Sequence, residues 1–197
     1  MNPTPANTTV FIVLLLAVVL AVVVWLIVQR TRSLRLKRRF GPEYDLTVSE
    51  FHSRAKAESE LMKREDRVAR LKIVPLTPTD AARFSQAWNE LQSRFIDNPK
   101  GVVAQADQLV RELMEERGYP MGDFESRAAD ISVDHPGVVA TYRVAQAIAI
   151  SDARGEADTE ELRKAVIYYR TLFDELLGVA HDRVPSLPPV RRVPVHS

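Results

Sequence analysis

Cysteine is absent from the 197 residues of this chain. Its absence excludes disulfide bonds, thiolate catalysis and cysteine-based zinc sites. The sequence also lacks a Gly-rich phosphate loop, a dinucleotide fingerprint, a His-Glu-x-x-His helix, a Gly-x-Ser-x-Gly elbow and the Glu-x-x-His pattern of di-metal bundles. We therefore predict no catalytic, cofactor-binding or metal-binding residue and no cofactor, and we expect that the protein is not an enzyme.

Charge is absent from the nineteen residues between Val10 and Val28, which read VFIVLLLAVVLAVVVWLIV. At about 1.5 Å per residue such a helix spans about 28 Å, close to the ~30 Å hydrocarbon core of a bilayer. A cleaved signal peptide is the main alternative, but residues 1–9 contain no Lys or Arg and the apolar run is longer than a signal peptide needs. The sequence predicts a short outside tail at 1–9 and a transmembrane helix at 10–28.

Positive charge follows this span at once, in the stretch QRTRSLRLKRRF. The basic residues are Arg30, Arg32, Arg35, Lys37, Arg38 and Arg39. Because Lys and Arg near a span tend to stay on the cytoplasmic side, we predict an outside N-terminus, a basic juxtamembrane segment at 29–42 and a cytoplasmic remainder. Leu34, Leu36 and Phe40 are expected to lie on the headgroups with the basic residues, so that the first partner is a bilayer with anionic headgroups. Nucleic acid is not expected as a partner, because the patch lacks a recognition fold.

The charges are segregated along the chain. Residues 30–72 carry 13 basic and 7 acidic side chains, whereas residues 73–178 carry 11 basic and 18 acidic side chains. The acidic surface of the second segment is the expected contact region for an unknown protein partner.

Helical periodicity begins after Gly41 and Pro42. Thr47 to Glu50 has the pattern of a capping box and predicts a charged connecting helix that continues to about Lys72. A weak coiled coil is the alternative. Its seam would consist of Val48, Phe51, Ala55, Glu58, Met62, Glu65, Ala69 and Lys72.

A helical domain is predicted at 43–178, built as a small antiparallel bundle after the connecting helix. Thr77 and Asn98 are predicted N-caps because Pro78 and Pro99 follow them at the first helical position. The predicted core faces are Phe84, Trp88, Leu91 and Phe95; Val102, Ala106, Leu109 and Leu113; Phe124, Ala128 and Ile131; Val138, Tyr142, Ala145 and Ala149; and Leu162, Val166, Tyr169, Phe173 and Leu176.

Asp134 and His135 could be interpreted as an acid–base pair, but an Asp two residues before Pro136 favours a helix cap. Asp158 to Glu161 is a further capping pattern, and Gly178 is expected to end the last helix. The last two long helices, between Pro136 and Leu177, are expected to form a hairpin loosely like a tetratricopeptide unit.

The segment 179–197 has four prolines and no apolar periodicity, so we predict a Pro-rich disordered tail. Pro185 and Pro188 have the spacing of a polyproline ligand, which we interpret as part of an unstructured end. His181 and Asp182 resemble a metal-binding pair, but they lie past the last predicted helix and lack a suitable histidine partner.

Four segments carry a resemblance to known proteins: RFGPEYD, SRFIDNP, RGYPMGDFESRAADISVDHP and YYRTLFDELL. They resemble an uncharacterised bacterial family of hypothetical single-pass membrane proteins, sometimes labelled secreted, over roughly Phe40 to Leu177. The resemblance implies a single apolar segment before a helical domain in a bacterial envelope. It implies no activity, cofactor or site residue.

The sequence thus predicts an all-α, single-pass protein of the bacterial inner membrane, with the helical domain in the cytoplasm. The favoured function is a protein-interaction or scaffolding module at the cytoplasmic face. The alternatives are a small-molecule-binding sensor or an enzyme without a recognisable motif, and a purely structural role in the envelope.

Overall fold

The computed structural model describes residues 5–95 and 98–178, and all regular secondary structure within these ranges is α-helical. The helices are α1 (Pro5–Phe40), α2 (Pro42–Phe51), α3 (Arg54–Val68), α4 (Pro78–Arg94), α5 (Pro99–Glu116), α6 (Phe124–Asp134), α7 (Pro136–Ala153) and α8 (Thr159–Leu177). The predicted all-α class is confirmed. The predicted tail at 179–197, with the Pro185–Pro188 spacing and the His181–Asp182 pair, lies outside the described residues.

The N-terminal helix is longer than the predicted span. α1 begins at Pro5 and passes through residues 28 and 29 without a break, so the predicted span and most of the predicted juxtamembrane segment belong to one helix. Its 36 residues extend over about 54 Å. Gly41 ends the helix with φ 51° and ψ −126°, a conformation that residues with a Cβ rarely adopt.

The predicted capping box at Thr47–Glu50 is wrong. These residues lie inside α2, and the Thr47 hydroxyl donates to the carbonyl oxygen of Glu43 at 2.8 Å instead of capping a helix start. The chain breaks at His52, whose φ is 49°, and α3 starts at Arg54. The prediction failed because a Thr at this spacing can also bond back to the fourth preceding carbonyl.

The predicted bounds of the charged connecting helix, Thr47 to about Lys72, do not match α3. It ends at Val68, before the predicted Lys72, and its buried residues include charged ones. These buried residues are Ala57, Glu58, Leu61, Arg64 and Val68. They share only Glu58 with the predicted seam, so the buried face of the helix is displaced from the expected one.

The helices form two compact units. Unit 1 contains the residues up to Ile73 together with Gly118–Arg143, and unit 2 contains Val74–Arg117 together with the residues from Val144 to the end of α8. The sequence had indicated a single helical domain at 43–178. The division falls within α7, where the sequence shows no change of pattern.

The core of unit 1 includes the end of α1. Its main cluster consists of Leu36, Phe40, Tyr44, Leu61, Val68 and Val133. Gly118 is needed at the start of the second segment of this unit, because its φ is 88° and a Cβ would lie 2.6 Å from the carbonyl oxygen of Lys72.

Unit 2 is built around α5, which packs against both α4 and α8. The helix starts predicted here are confirmed: the Thr77 side chain accepts from the Asp80 backbone N–H, and the Asn98 side chain accepts from that of Gly101. Asp158 and Glu161 form the reciprocal capping box, and Gly178 ends α8 with φ 77°. The expected hairpin of the last two helices is not the main contact of α8, since α8 packs most closely on α5.

Candidate functional site

The first part of α1 is an exposed apolar surface. Every described side chain from Val13 to Val28 is exposed, including Trp25 at 59% and Leu15 at 65%. The helix is long and apolar enough to cross a membrane, and none of its apolar window is buried within the protein. Burial of this surface therefore requires something other than the described part of the chain.

The basic end of α1 divides into two groups. Three of the predicted membrane-proximal residues contact carboxylates of the protein itself: Arg35 Nη2 lies 2.9 Å from Glu65 Oε2, Lys37 Nζ 3.2 Å from Asp45 Oδ1, and Arg39 Nε 3.1 Å from Glu65 Oε1. Arg30, Arg32 and Arg38 are exposed and take part in no ion pair among the described residues. Only the second group keeps its charge unmatched.

The expectation that Leu34, Leu36 and Phe40 lie together on the headgroups is wrong for two of them. Leu36 is 3% exposed and Phe40 is fully buried, whereas Leu34 is 49% exposed. The first two belong to the core of unit 1. The exposed apolar segment and the folded unit therefore share one continuous helix, with no break between Val28 and Phe40.

A groove lies between α1 and the first turns of α3. Its volume is about 640 Å³, within the range of small-molecule sites. The lining residues are Leu26, Gln29, Arg30, Ser33, Leu34, Arg54, Ala55 and Glu58. The five from α1 recur at helical spacing and form one face of that helix. All eight belong to unit 1.

A hydrogen-bonded network forms the polar wall of this groove. Glu58 Oε1 accepts from the Tyr44 hydroxyl at 2.8 Å and from Arg54 Nε at 2.9 Å. Arg54 Nε also lies 3.1 Å from the Tyr44 hydroxyl. Ser33, which is 5% exposed, lines the same groove and contributes to lowering the pKa of Glu58. The carboxylate is thus held by donors from α2 and α3, and Ser33 of α1 lines the groove with it.

These contacts shift the ionisation of the two acidic groups in opposite directions. Burial raises the pKa of Glu58, but the Ser33 and Tyr44 hydroxyls and the Arg54 guanidinium lower it more, and the net pKa lies below the ordinary value. Burial, together with the hydrogen bond to Glu58, raises the pKa of the Tyr44 hydroxyl. Glu58 is therefore an anion at neutral pH and Tyr44 is a neutral donor.

A second network of charges is buried within unit 1. Glu43 is 4% exposed, and its Oε1 lies 3.0 Å from Arg64 Nη1 and 2.7 Å from Arg143 Nη2. Arg143 Nη1 also lies 2.6 Å from Glu125 Oε2. The network joins α2, α3, α6 and α7, and both Glu43 and Arg64 are buried, which indicates a structural role.

The prediction that Asp134 caps the start of the helix at Pro136 is wrong. Asp134 is the last residue of α6, and His135 is the C-cap residue that separates α6 from α7. The Asp134 carboxylate lies 3.6 Å from Arg39 Nη2. Within residues 5–95 and 98–178, no group of three or more His, Asp or Glu side chains has a geometry that could hold a metal ion.

Unit 2 has a smaller groove of about 380 Å³ between α4 and α8. It is lined by Trp88, Gln92, Phe95, Arg163, Val166, Ile167 and Arg170. The Arg170 guanidinium lies over the Trp88 ring, 5.4 Å from its centroid. Trp88 is only 1% exposed, so this ring contributes to the core of unit 2 more than to the groove.

Comparison with known proteins gives no relative from which a role could be transferred: no family model, no curated protein and no solved structure matches this chain. A role for the candidate site therefore has to be inferred from the chemistry of its own residues.

Sequence reasoning identified Arg30 but missed Ser33, Tyr44, Arg54 and Glu58 as members of one site. Arg54 and Glu58 are four residues apart, which in a helix predicts an ion pair. The contribution of α1 was not predictable, because the segment after Val28 was interpreted as lying on lipid. The sequence did contain one signal for the site. Glu58 lay within the predicted apolar seam, and a carboxylate that is buried there needs hydrogen-bond partners.

Proposed function

We propose that the protein is a single-pass membrane anchor for a helical, protein-interacting part at the cytoplasmic face. The observation that supports the anchor is the continuity of α1, whose exposed apolar part from Val13 to Val28 runs directly into buried Leu36 and Phe40. A span that is rigidly continuous with unit 1 would hold that unit at a fixed distance from the bilayer.

The proposed orientation rests on charge. Arg30, Arg32 and Arg38 have no ion-pair partner among residues 5–95 and 98–178 and lie at the C-terminal side of the proposed span, whereas residues 1–9 carry no Lys or Arg. Positive charge of this kind favours the cytoplasmic side. The proposed location, the inner membrane of a bacterium, rests in addition on the family resemblance noted above.

The proposed interaction surface is acidic and belongs to unit 2. Residues 74–117 and 144–178 carry 9 basic and 14 acidic side chains, whereas the residues up to 73 and 118–143 carry 15 basic and 11 acidic side chains. An excess of negative charge favours a partner with a basic surface. Glu112 and Glu115 are exposed on α5 and are the first candidates for this contact.

Reporters fused after Ser197 test the anchor and its orientation. A reporter that needs the cytoplasm should be active, and one that needs the opposite compartment should be silent. Replacement of all six basic residues between Arg30 and Arg39 by Gln should produce mixed orientation. Activity of the second reporter in the unmodified chain would reverse the proposal.

The interaction role is tested by crosslinking in intact cells followed by purification of the full chain. Glu112→Gln combined with Glu115→Gln should reduce a specific crosslinked adduct. A matched control combines Glu50→Gln with Asp66→Asn, which are exposed in unit 1 and should leave the adduct unchanged. Equal adducts in both double variants would exclude the acidic surface as the contact.

A further inference from the structure

The polar part of the groove between α1 and α3 lies just beyond the end of the predicted membrane span. With Val28 at the end of the predicted span, Arg30 lies about 3 Å and Ser33 about 7.5 Å beyond it along the helix axis. The headgroup layer on each side of a hydrocarbon core is about 5–7 Å thick. The polar part of the groove therefore coincides with the layer that contains lipid phosphates, if α1 spans as proposed above.

The two arginines of the groove have unused binding capacity. Arg30 is in no ion pair within the described ranges. Arg54 uses only its Nε for Glu58 and Tyr44, and its side chain is 65% exposed, so both terminal amino groups lack a hydrogen-bond partner among the described residues. A guanidinium with free terminal nitrogens is suited to bind phosphate oxygens.

The net charge of the lining matches one phosphodiester. Arg30 and Arg54 contribute two positive charges and Glu58 one negative charge, and the described lining residues include no Lys or Asp. Glu58 already accepts from Tyr44 and is paired with Arg54, so it offers little to a second cation. The lining thus favours a single anionic phosphate and has no free carboxylate for a quaternary ammonium group.

The apolar end of the groove continues into the membrane span. Leu26 lines the groove, and Val19, Val22 and Val23 precede it at helical spacing on the same face of α1. All three valines are exposed. This face offers an apolar surface along which an acyl chain can lie.

We propose that the groove binds one phospholipid, with its phosphate held by Arg30 and Arg54 and one acyl chain along the face of α1 that ends at Leu26. Ser53 makes no side-chain hydrogen bond to the first turn of α3, which leaves the positive end of that helix uncapped beside the site. The preferred ligand is an anionic phospholipid with an uncharged headgroup alcohol, such as phosphatidylglycerol. The binding depends on the proposed span for access to lipid but not on its orientation.

The test is a titration of the delipidated full-length chain, in a neutral detergent, with short-chain phosphatidylglycerol. Saturable binding of one lipid per chain is expected, and Arg30→Gln and Arg54→Gln should each weaken it roughly tenfold, since each removes a charge-assisted contact. Arg38→Gln is the matched control, because Arg38 is exposed on the same helix, is in no ion pair within the described ranges and does not line the groove. It should change the affinity less than twofold.

Equal losses in all three variants would show a general attraction between charges and overturn the site. Unchanged affinity in Arg30→Gln would overturn it as well. Because Arg54→Gln also disturbs Tyr44 and Glu58, its melting curve is measured, and Arg30→Gln, which breaks no contact within the described ranges, decides the outcome.

Two further ligands identify the source of the phosphate. Glycerophosphoglycerol, which has the headgroup but no acyl chain, and inorganic phosphate should show no saturable binding at the lipid concentrations used. If either binds as tightly as the lipid, the site is one for a soluble phosphate compound and the lipid proposal fails. A reversed reporter result would remove the cytoplasmic proposal and leave this titration unaffected, so that the two failures are distinguishable.

Discussion

The two units of this protein are stabilised by different interactions. Among the described residues, the buried polar and charged side chains are Ser33, Glu43, Thr47, Glu58, Arg64, Arg127, Asp130, Ser132 and Asp174, and all except Asp174 belong to unit 1. Unit 2 instead buries large apolar and aromatic side chains from α4, α5 and α8, such as Trp88 and Phe173, whose ring centroids lie 4.7 Å apart. Unit 1 therefore combines an apolar core with matched buried charges, whereas unit 2 depends almost wholly on apolar packing.

The difference follows from the composition of the helices. α2 and α3 carry many charged residues, so their buried faces must include some of them, and each buried charge needs a partner. Such pairs contribute little net stability but are costly to break, because one partner is then left buried and unmatched. The same chemistry produces the Glu58 network beside the groove.

The largest expected effect is in the apolar core of unit 2. Trp88→Ala should lower the free energy of unfolding by about 3–5 kcal/mol, because a large ring that is 1% exposed would leave a cavity. Thermal and denaturant melting of the full chain in detergent measures this loss. Trp25→Ala is the control: Trp25 is 59% exposed, and an unchanged melting curve is expected. Equal curves for both variants would contradict an apolar core around Trp88.

A smaller loss is expected in the charged core of unit 1. Glu43→Gln should cost roughly 2–4 kcal/mol, because Arg64 and Arg143 lose their shared carboxylate. The value is placed below that of a fully buried pair because the Arg143 side chain is 20% exposed. Glu50→Gln, on an exposed position of the same helix, should stay within about 0.5 kcal/mol. Similar melting of the two variants would remove the distinction between the units.

The smallest expected effect is a dependence of the stability of unit 1 on pH, which would distinguish its buried carboxylates from the apolar core of unit 2. The folded pKa of Glu58 lies below its ordinary value of 4.5, so the native state binds fewer protons there than the unfolded state. Its contribution to stability is complete above pH 4.5 and is lost as the pH falls through the lower, folded pKa. Glu58→Gln should flatten the acid side of the stability profile of unit 1, while Glu50→Gln should retain it. A steep acid limb in Glu58→Gln would show that other carboxylates carry the dependence.

Much of unit 2 was predictable from local sequence. Thr77, Asn98 and Asp158 were identified as caps because a cap needs only a short polar side chain and the next few backbone amides. The buried faces around Phe84, Trp88 and Leu91 followed from helical spacing, since each apolar stripe must be covered. These features depend on residues within a few positions of one another.

The sequence by itself determined the all-α class, the apolar N-terminal segment and its flanking positive charge. The tertiary structure decided that α1 continues past Val28 into the core of unit 1, that α2 and α3 are separate, and that Ser33, Tyr44 and Arg54 converge on Glu58. The physical reason is distance along the chain. Hydropathy and capping act over one or two helical turns, whereas the partner of a buried charge such as Glu43 can lie 100 residues away, as Arg143 does.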